Sequence, residues 1–359
     1  FPTNTHKNHA VCRSSEGGIG IHAVILAAGR GTRMSPLTDR IPKPLIPVAG
    51  ISLIERLIAE LRVAGVHSFT IGVGWKGKTI ESHLLGLSDS DKIRIVTAPD
   101  YEKGPLATLI NTLGEAPPDR FLLCPADLVA DASIASQLIS AHDKRRENQF
   151  MTIGVDMTAQ RGTLVRLGMH GSVVGFNQYG LSNDETGRSV MMLIIERPLV
   201  DQLKEALEDG HASVSSAVNQ IISEGFEVAH VPVSGHWSDI DNIFDVLETN
   251  QRLLQGVEAS PELGLFVQAG RILNADDCRE SSSEALVGNE THIVGPVLIS
   301  PDSAVGSRCL LGPNVSLSEG AKVEDDCHVE NAVLFGRAIV PRKARIQSAI
   351  VYDRLQLLE

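Results

Sequence analysis

Between residues 293 and 340 the apolar side chains recur with a period that neither an α-helix nor an ordinary strand can satisfy. Ile293, Ile299, Val305, Leu311, Leu317, Val323, Val329 and Phe335 follow one another at intervals of six. Four positions beyond each of these stand Val297, Ser303, Cys309, Val315, Ala321, Cys327, Val333 and Ile339, all small or of modest size. Gly306, Gly312 and Gly336 come directly after an apolar anchor, where a corner has to turn. A six-residue repeat predicts one short strand on each face of a triangular prism, three repeats to a coil. Residues 293–352 are therefore expected to form a left-handed parallel β-helix of about three coils. Cys309 and Cys327 are 18 residues apart, one coil, and would stack at roughly 4.8 Å. That spacing admits a disulfide, but the same slot takes small residues in the other repeats, and packing is the preferred reading in a reducing compartment.

The preceding region has a different rhythm. Over 21–254, short β-branched runs alternate with helical patterns. Ile54, Leu57, Ile58 and Leu61 share one helix face, which Gly65 can close. Strands are predicted at Phe69–Val73, Ile93–Val96, Arg120–Cys124 and Met151–Val155, and helices at Lys78–Leu85, Leu106–Leu113 and Ser133–His142. Such alternation predicts an α/β domain of three layers, Rossmann-like, around a mostly parallel sheet. Thr163–Leu167 and Val173–Phe176 read as a hairpin that adds antiparallel strands at one edge, where an acceptor-binding lobe would form. Residues 255–292 read as a linker. Residues 1–20 read as a disordered tail without the apolar core of a secretory signal, and the missing initiator Met fits a processed or trimmed terminus.

A net charge of −12 argues against nucleic acid as a partner. No apolar run reaches the roughly 18–20 residues of a membrane span, so a cytoplasmic protein is expected. The five cysteines contain no CxxC pair and the twelve histidines are scattered, which argues against a zinc site. An acidic protein that binds anions must hold them by local devices.

One such device is visible. Residues 26–45 read LAAGRGTRMSPLTDRIPKPL, directly after the apolar run Ile21–Leu26. A buried strand opens into a loop with Gly29, Gly31 and Thr32. Arg33 follows at once, and Lys43 sits between Pro42 and Pro44. Loop amides and two cations converging on one small volume suit a triphosphate. A Walker loop is absent, and the third glycine of a dinucleotide fingerprint would fall at Met34. Two aspartates stand at strand ends, Asp127 after Phe121–Cys124 and Asp239 after Val228–Val233. On the residues alone a cap is the preferred reading of each, with metal ligation the alternative.

The loop resembles the signature of the sugar-1-phosphate nucleotidyltransferases, the nucleotide-sugar pyrophosphorylases. Their pattern L-A-A-G-x-G-T-R-[LM]-x-P-L-T followed by P-K-P-L is matched at every fixed position from Leu26 to Leu45. The resemblance implies a GT-A-like nucleotidyltransferase fold and an NTP and a phosphorylated sugar or cyclitol as substrates. It implies nucleotide binding by Leu26, Ala28, Gly29, Gly31, Thr32, Arg33, Gly104, Thr108 and Asp127. Arg33 and Lys43 would be catalytic, and Asp127 and Asp239 would hold Mg²⁺, with Asp241 in reserve. The region around Glu102–Leu109 looks more like the branch acting on cyclitol and alcohol phosphates, while a β-helical C-terminus is similar to that of guanylyl and long thymidylyl enzymes; GTP is favoured. Two departures stand out. The family's acceptor-phosphate Lys is missing after Gly175-Phe176-Asn177-Gln178-Tyr179, with Arg188 and Arg166 as substitutes. Apolar Val190-Met191-Met192 occupy the place of a usual glycine. Core packing is the preferred reading for Met191, Met192 and Phe176. These departures keep open a catalytically weak homologue that binds nucleotide sugar and controls a partner subunit. A homo-oligomer assembled through the β-helix is expected.

Overall fold

The computed structural model describes residues 21–87, 90–168, 171–177, 185–259, 271–273, 286–300 and 302–358. The expected tail, Gln178 and Tyr179, Cys12 and Cys278, and much of 255–292 lie outside the described residues.

Strand β1 (His22–Ala27) is buried on both faces because it lies in the middle of the sheet. It pairs in parallel with β2 (Ser68–Val73), which pairs with β3 (Ile93–Thr97), and on its other side with β4 (Arg120–Pro125). Beyond β4 the sheet changes character. Strand β5 (Met151–Asp156), the hairpin β6 (Leu164–Leu167) and β7 (Val173–Phe176), the long β8 (Glu185–Glu196) and β9 (Val228–Pro232) complete nine strands. β8 runs antiparallel to β4, to β5 and to the hairpin strand β6. The expected hairpin is present, and it lies at the sheet edge.

Alternation along β1 divides the core into two. Ala23 and Ile25 face α1 (Leu53–Val63), α2 (Gly77–Leu85) and α4 (Ala132–His142), packing with Leu57, Leu61, Ile80, Leu84 and Leu138. Val24 faces the opposite layer, α3 (Pro105–Leu113), α5 (Val200–Glu208) and α6 (Val214–Ser223), with Leu106, Leu109, Leu203 and Ile221. Helix α1 begins at a capping box in which Ser52 Oγ accepts from the Glu55 amide while the Glu55 carboxylate accepts from the Ser52 amide. It ends as Gly65 turns at φ +91° and the Val66 amide reaches back to Leu61 O.

The last helix, α7 (Ile243–Ala259), runs past residue 254, and strands at Arg271–Leu273 and Leu286–Val287 fall where a linker is expected. The tail then coils as parallel strands. Ile293 stacks on Leu311 and Val329, and Val305 on Val323. The sixfold register fails at the third coil, which corrects the expectation for Phe335, Val333 and Ile339. Val315 pairs with Ala332 and Leu317 with Leu334, so Leu334 takes the inward slot. Gly312-Pro313-Asn314 separates Leu311 from Val315, whereas only Glu330-Asn331 separates Val329 from Ala332. Losing one corner residue turns the next strand over. Val333 and Phe335 thereby face outwards, and Ile339 becomes exposed.

That reversal makes a joint. Val333, Phe335 and Ile350 of the β-helix pack against Met34, Leu37, Ile46 and Val48 of the N-terminal loop and Val246 of α7. Asn250 of α7, fully buried, accepts from the Ala49 amide at 2.9 Å and from Ser316 Oγ at 2.7 Å. On the same β-helix face, antiparallel strands close both ends of the stack, Arg271–Leu273 on Val297–Ile299 and Leu355–Leu358 on Ala349–Tyr352. Capping of this kind protects strand edges. Cys309 and Cys327 are buried free thiols, each donating to a backbone carbonyl at 3.1 Å (Glu324 and Pro341), which bears out packing over a disulfide. No helix among the described residues is long and apolar enough to cross a membrane.

Candidate active site

At the carboxyl ends of β1 and β4 the chain leaves the sheet and builds a cleft, as open α/β sheets do. After β1, Gly31 adopts φ +67°, and its carbonyl accepts from the Met34 amide and from Thr38 Oγ1 at 2.8 Å. The loop returns at the turn Lys43–Leu45, where the Lys43 side chain runs back under Gly31. Its ammonium donates to Asp127 Oδ2 at 2.6 Å and to Asp241 Oδ1 at 3.4 Å. Arg33 donates to the other oxygen of Asp241.

Asp127 and Asp239 are brought together by a two-stranded ribbon. Leu128–Ala130 pairs antiparallel with Trp237–Asp239, placing Asp239 opposite Leu128, and the Ile240 amide donates to Asp127 O at 3.1 Å. Trp237 is itself anchored by its indole N–H on Asp156, at 3.0 Å. The carboxylates interact strongly. Burial, then Asp127 and Asp241, push the Asp239 pKa up to about 7. Burial works against the Lys43 ammonium, but Asp127, Asp239 and Asp241 outweigh it and raise its pKa. Among the described residues the Asp239 carboxylate has no hydrogen-bond or salt-bridge partner. Hard carboxylate oxygens, one of them unpartnered, suit Mg²⁺ as a donor set. Among the described residues no three His, Cys, Asp or Glu side chains close a complete metal site, so phosphate oxygens and water would supply the remaining positions.

Two cavities adjoin along this cleft. One, of about 510 Å³, is bounded by Gly31, Thr32, Arg33, Lys43 and Asp241. The other, of about 410 Å³, is bounded by Ala28, Gly104, Thr108, Phe176, Met191 and Ser213. Both include Leu26, Gly29, Pro105 and Asp127, which makes them one continuous cleft. A Cβ added at Gly29 would meet nothing within 4 Å; it would project into free space that a ligand can use. Gly104 is required by its own surroundings. At φ +117° it lies so close to Ala212 that a Cβ would sit 2.4 Å from that residue's carbonyl oxygen.

Of the residues singled out in the sequence, Leu26, Ala28, Gly29, Gly31, Thr32, Arg33, Lys43, Gly104, Thr108 and Asp127 all line this cleft. Asp239 does not; it opens on a neighbouring cavity of about 800 Å³ that shares Asp241 with the loop end. Arg188 and Arg166 line neither part, and Arg188 donates to Gly162 O at 3.3 Å. The core reading holds for Met192 and for Phe176, which also forms part of the cleft wall, while Met191, half-buried against the core, lines the cleft as well. Tyr101, Thr163, Ser189, Ser213 and Ser215 also line it. Ser213 alone carried a local signal, as the cap of α6 that accepts from the Ser216 amide. Lys43 was legible as a cation but not as the buried partner of Asp127.

A glycine loop over a lysine, a carboxylate cluster and an adjoining chamber, set on this sheet, define a nucleotidyltransferase. The chain belongs to the MobA-like NTP transferase family, whose model matches residues 23–222, and residues 293–357 match the GMPPB C-terminal domain. It is 24% identical to the probable mannose-1-phosphate guanylyltransferase 3 of Oryza sativa subsp. japonica, over 92% of this chain and 85% of that protein. It is 24% identical to the glucose-1-phosphate thymidylyltransferase of Streptomyces griseus, over 93% of each. Among solved structures, UDP-glucose pyrophosphorylase complexed with UDP-glucose shares the fold. That match has a TM-score of 0.56 at 16% identity and covers 66% of this chain and 100% of that one.

Proposed function

We propose that this protein transfers a nucleoside monophosphate from an NTP, with GTP favoured, to a sugar 1-phosphate or a sugar-like cyclitol 1-phosphate. The products are an NDP-sugar or NDP-cyclitol and pyrophosphate. The carrying observation is the continuous cleft that joins the Gly29–Lys43 loop to a chamber across Asp127. The guanylyltransferases among the relatives support GTP.

The acceptor phosphate is already an anion, so no general base is needed. Its oxygen bonds to the α-phosphorus as the bond from that phosphorus to the α–β bridging oxygen breaks, and the electron pair leaves with pyrophosphate. The barrier lies in bringing two polyanions into line, and positioning and electrostatics lower it. Loop amides of Gly29–Thr32 and Arg33 hold the β- and γ-phosphates. Arg33 reaches them by exchanging Asp241, an exposed pairing of little strength. Lys43 neutralises the α-phosphate and the incoming oxygen. Gly104 and Thr108 border the base. Asp127 and Asp239 would hold Mg²⁺, which when bound offsets phosphate charge. Unpaired thiols at Cys124, Cys309 and Cys327 accord with a cytoplasmic setting, and self-association through the β-helix belongs to the same proposal.

A second reading, a regulatory homologue that binds nucleotide sugar and controls a partner subunit, draws support from a chamber lined, among the described residues, by neither lysine nor arginine. Pyrophosphate release measured for four NTPs against hexose, cyclitol and choline phosphates separates the two. Turnover with at least one sugar or cyclitol phosphate is expected. No release from any pair, with nucleotide sugar still bound, would overturn the enzymatic reading.

A further inference from the structure

The end of the cleft remote from the phosphate loop has a chemistry of its own. Resting on the reaction above, we propose that the acceptor is a deoxygenated sugar 1-phosphate and that Met191 determines this preference.

Strand β8 breaks register between Ser189 and Leu193. Inside that break Met191 stands at φ +63°, a left-handed conformation that suits glycine and strains a bulky residue. Its side chain faces the chamber, beside Phe176, Leu193, Leu123 and Val214. Several hydroxyls along this wall already hold bonds to protein. Ser189 Oγ accepts from the Met191 amide at 3.2 Å, and Thr163 Oγ1 donates to Met191 Sδ at 3.9 Å. Ser213 Oγ caps α6 through the Ser216 amide and bonds Ser215 Oγ at 3.1 Å. Among the described residues Asp127 is the one charged side chain lining this chamber, and it stands at the phosphate end.

A sugar hydroxyl turned towards Met191, Phe176 and Leu193 gives up water and finds no partner on those side chains, which opposes binding. A methyl or methylene at the same place loses nothing and gains contact with the thioether and the ring. An apolar wall discriminates against one added hydroxyl by about 10–100-fold. The strained methionine is thus a specificity device: it presents apolar bulk where glycine would leave room for a hydroxyl and its water.

The test compares kcat/KM, by pyrophosphate release, for matched pairs of acceptors: glucose 1-phosphate against its 2-deoxy and 6-deoxy forms, and mannose 1-phosphate against its 6-deoxy form. A deoxy form should exceed its parent at least about tenfold. Met191→Gly, which relieves the backbone and opens the wall, and Met191→Asn, which tolerates the same φ and brings in an amide, should each reduce that ratio at least about fivefold. Parents used as well as or better than every deoxy form, or a ratio unchanged in both variants, would overturn the inference and leave the nucleotidyltransferase reading standing. Silence from every acceptor with every NTP would instead overturn that reading, and the inference with it.

Discussion

At the loop end of the cleft a buried lysine, an exposed arginine, Asp127 and Asp241 share a small volume, with Asp239 adjoining from the neighbouring cavity. At the chamber end the wall is made of Phe176, Met191 and Leu193, with hydroxyls already bonded to protein. The two ends also differ in what stands behind them. The loop end is backed by the β-helix through Val333 and Phe335, whereas Phe176 and Leu193 pack within the α/β domain's own core. Charge is costly to hold in place, because each buried ion needs its partner at the right distance. A wall of apolar side chains needs only shape. The end proposed to handle phosphate is thus over-braced, and the end proposed to handle the acceptor is left open to substitution.

That contrast can be attacked from several sides. Lys43→Ala should have the largest consequence, lowering turnover about 10³-fold, since it removes the cation nearest the reacting phosphate and leaves Asp127 uncompensated. Steady-state pyrophosphate release measures it, and turnover within threefold of the parent protein would show that charge is not what the loop end contributes. Next come Arg33→Ala and Asp239→Ala, each expected to cost about 10²-fold while the circular dichroism spectrum stays unchanged. Near-normal release from either variant removes that residue from the mechanism.

Phe335→Ala probes the bracing. It deletes a buried ring packed 5.0 Å from Tyr352 at the joint. About 3 kcal/mol of stability should be lost in urea titration, with KM rising for NTP and not for the acceptor. Equal rises in both would mean that the β-helix supports the whole cleft. Gly29→Ala is the mildest change. It meets no neighbouring atom, so stability should hold while KM for NTP rises about tenfold through occlusion of the loop end. An unaltered KM would place the triphosphate elsewhere.

Much of this was legible from local pattern. Strand and helix positions in the α/β domain follow from apolar periodicity, and ten cleft residues are those implied by the resemblance that the 26–45 loop carries. The coil register is legible up to Val329, where a Gly-Pro corner ceases to recur. The shortened corner at Asn331 is visible in the sequence, but its result is not: Phe335 leaves the lumen because one residue is missing, and what receives it lies in a loop some three hundred positions earlier.

Sequence alone determined the Gly29–Lys43 loop, because short-range rules of glycine, proline and charge act on neighbouring residues. Tertiary structure alone decided three things: that Lys43 is paired with Asp127, that Asp239 is brought beside them by the Leu128–Ala130 ribbon, and that Met191 is turned into the cleft by a break in register. Each depends on strands far apart in the chain meeting in one register, and register is set by the packing of whole faces and not by any residue's own preference.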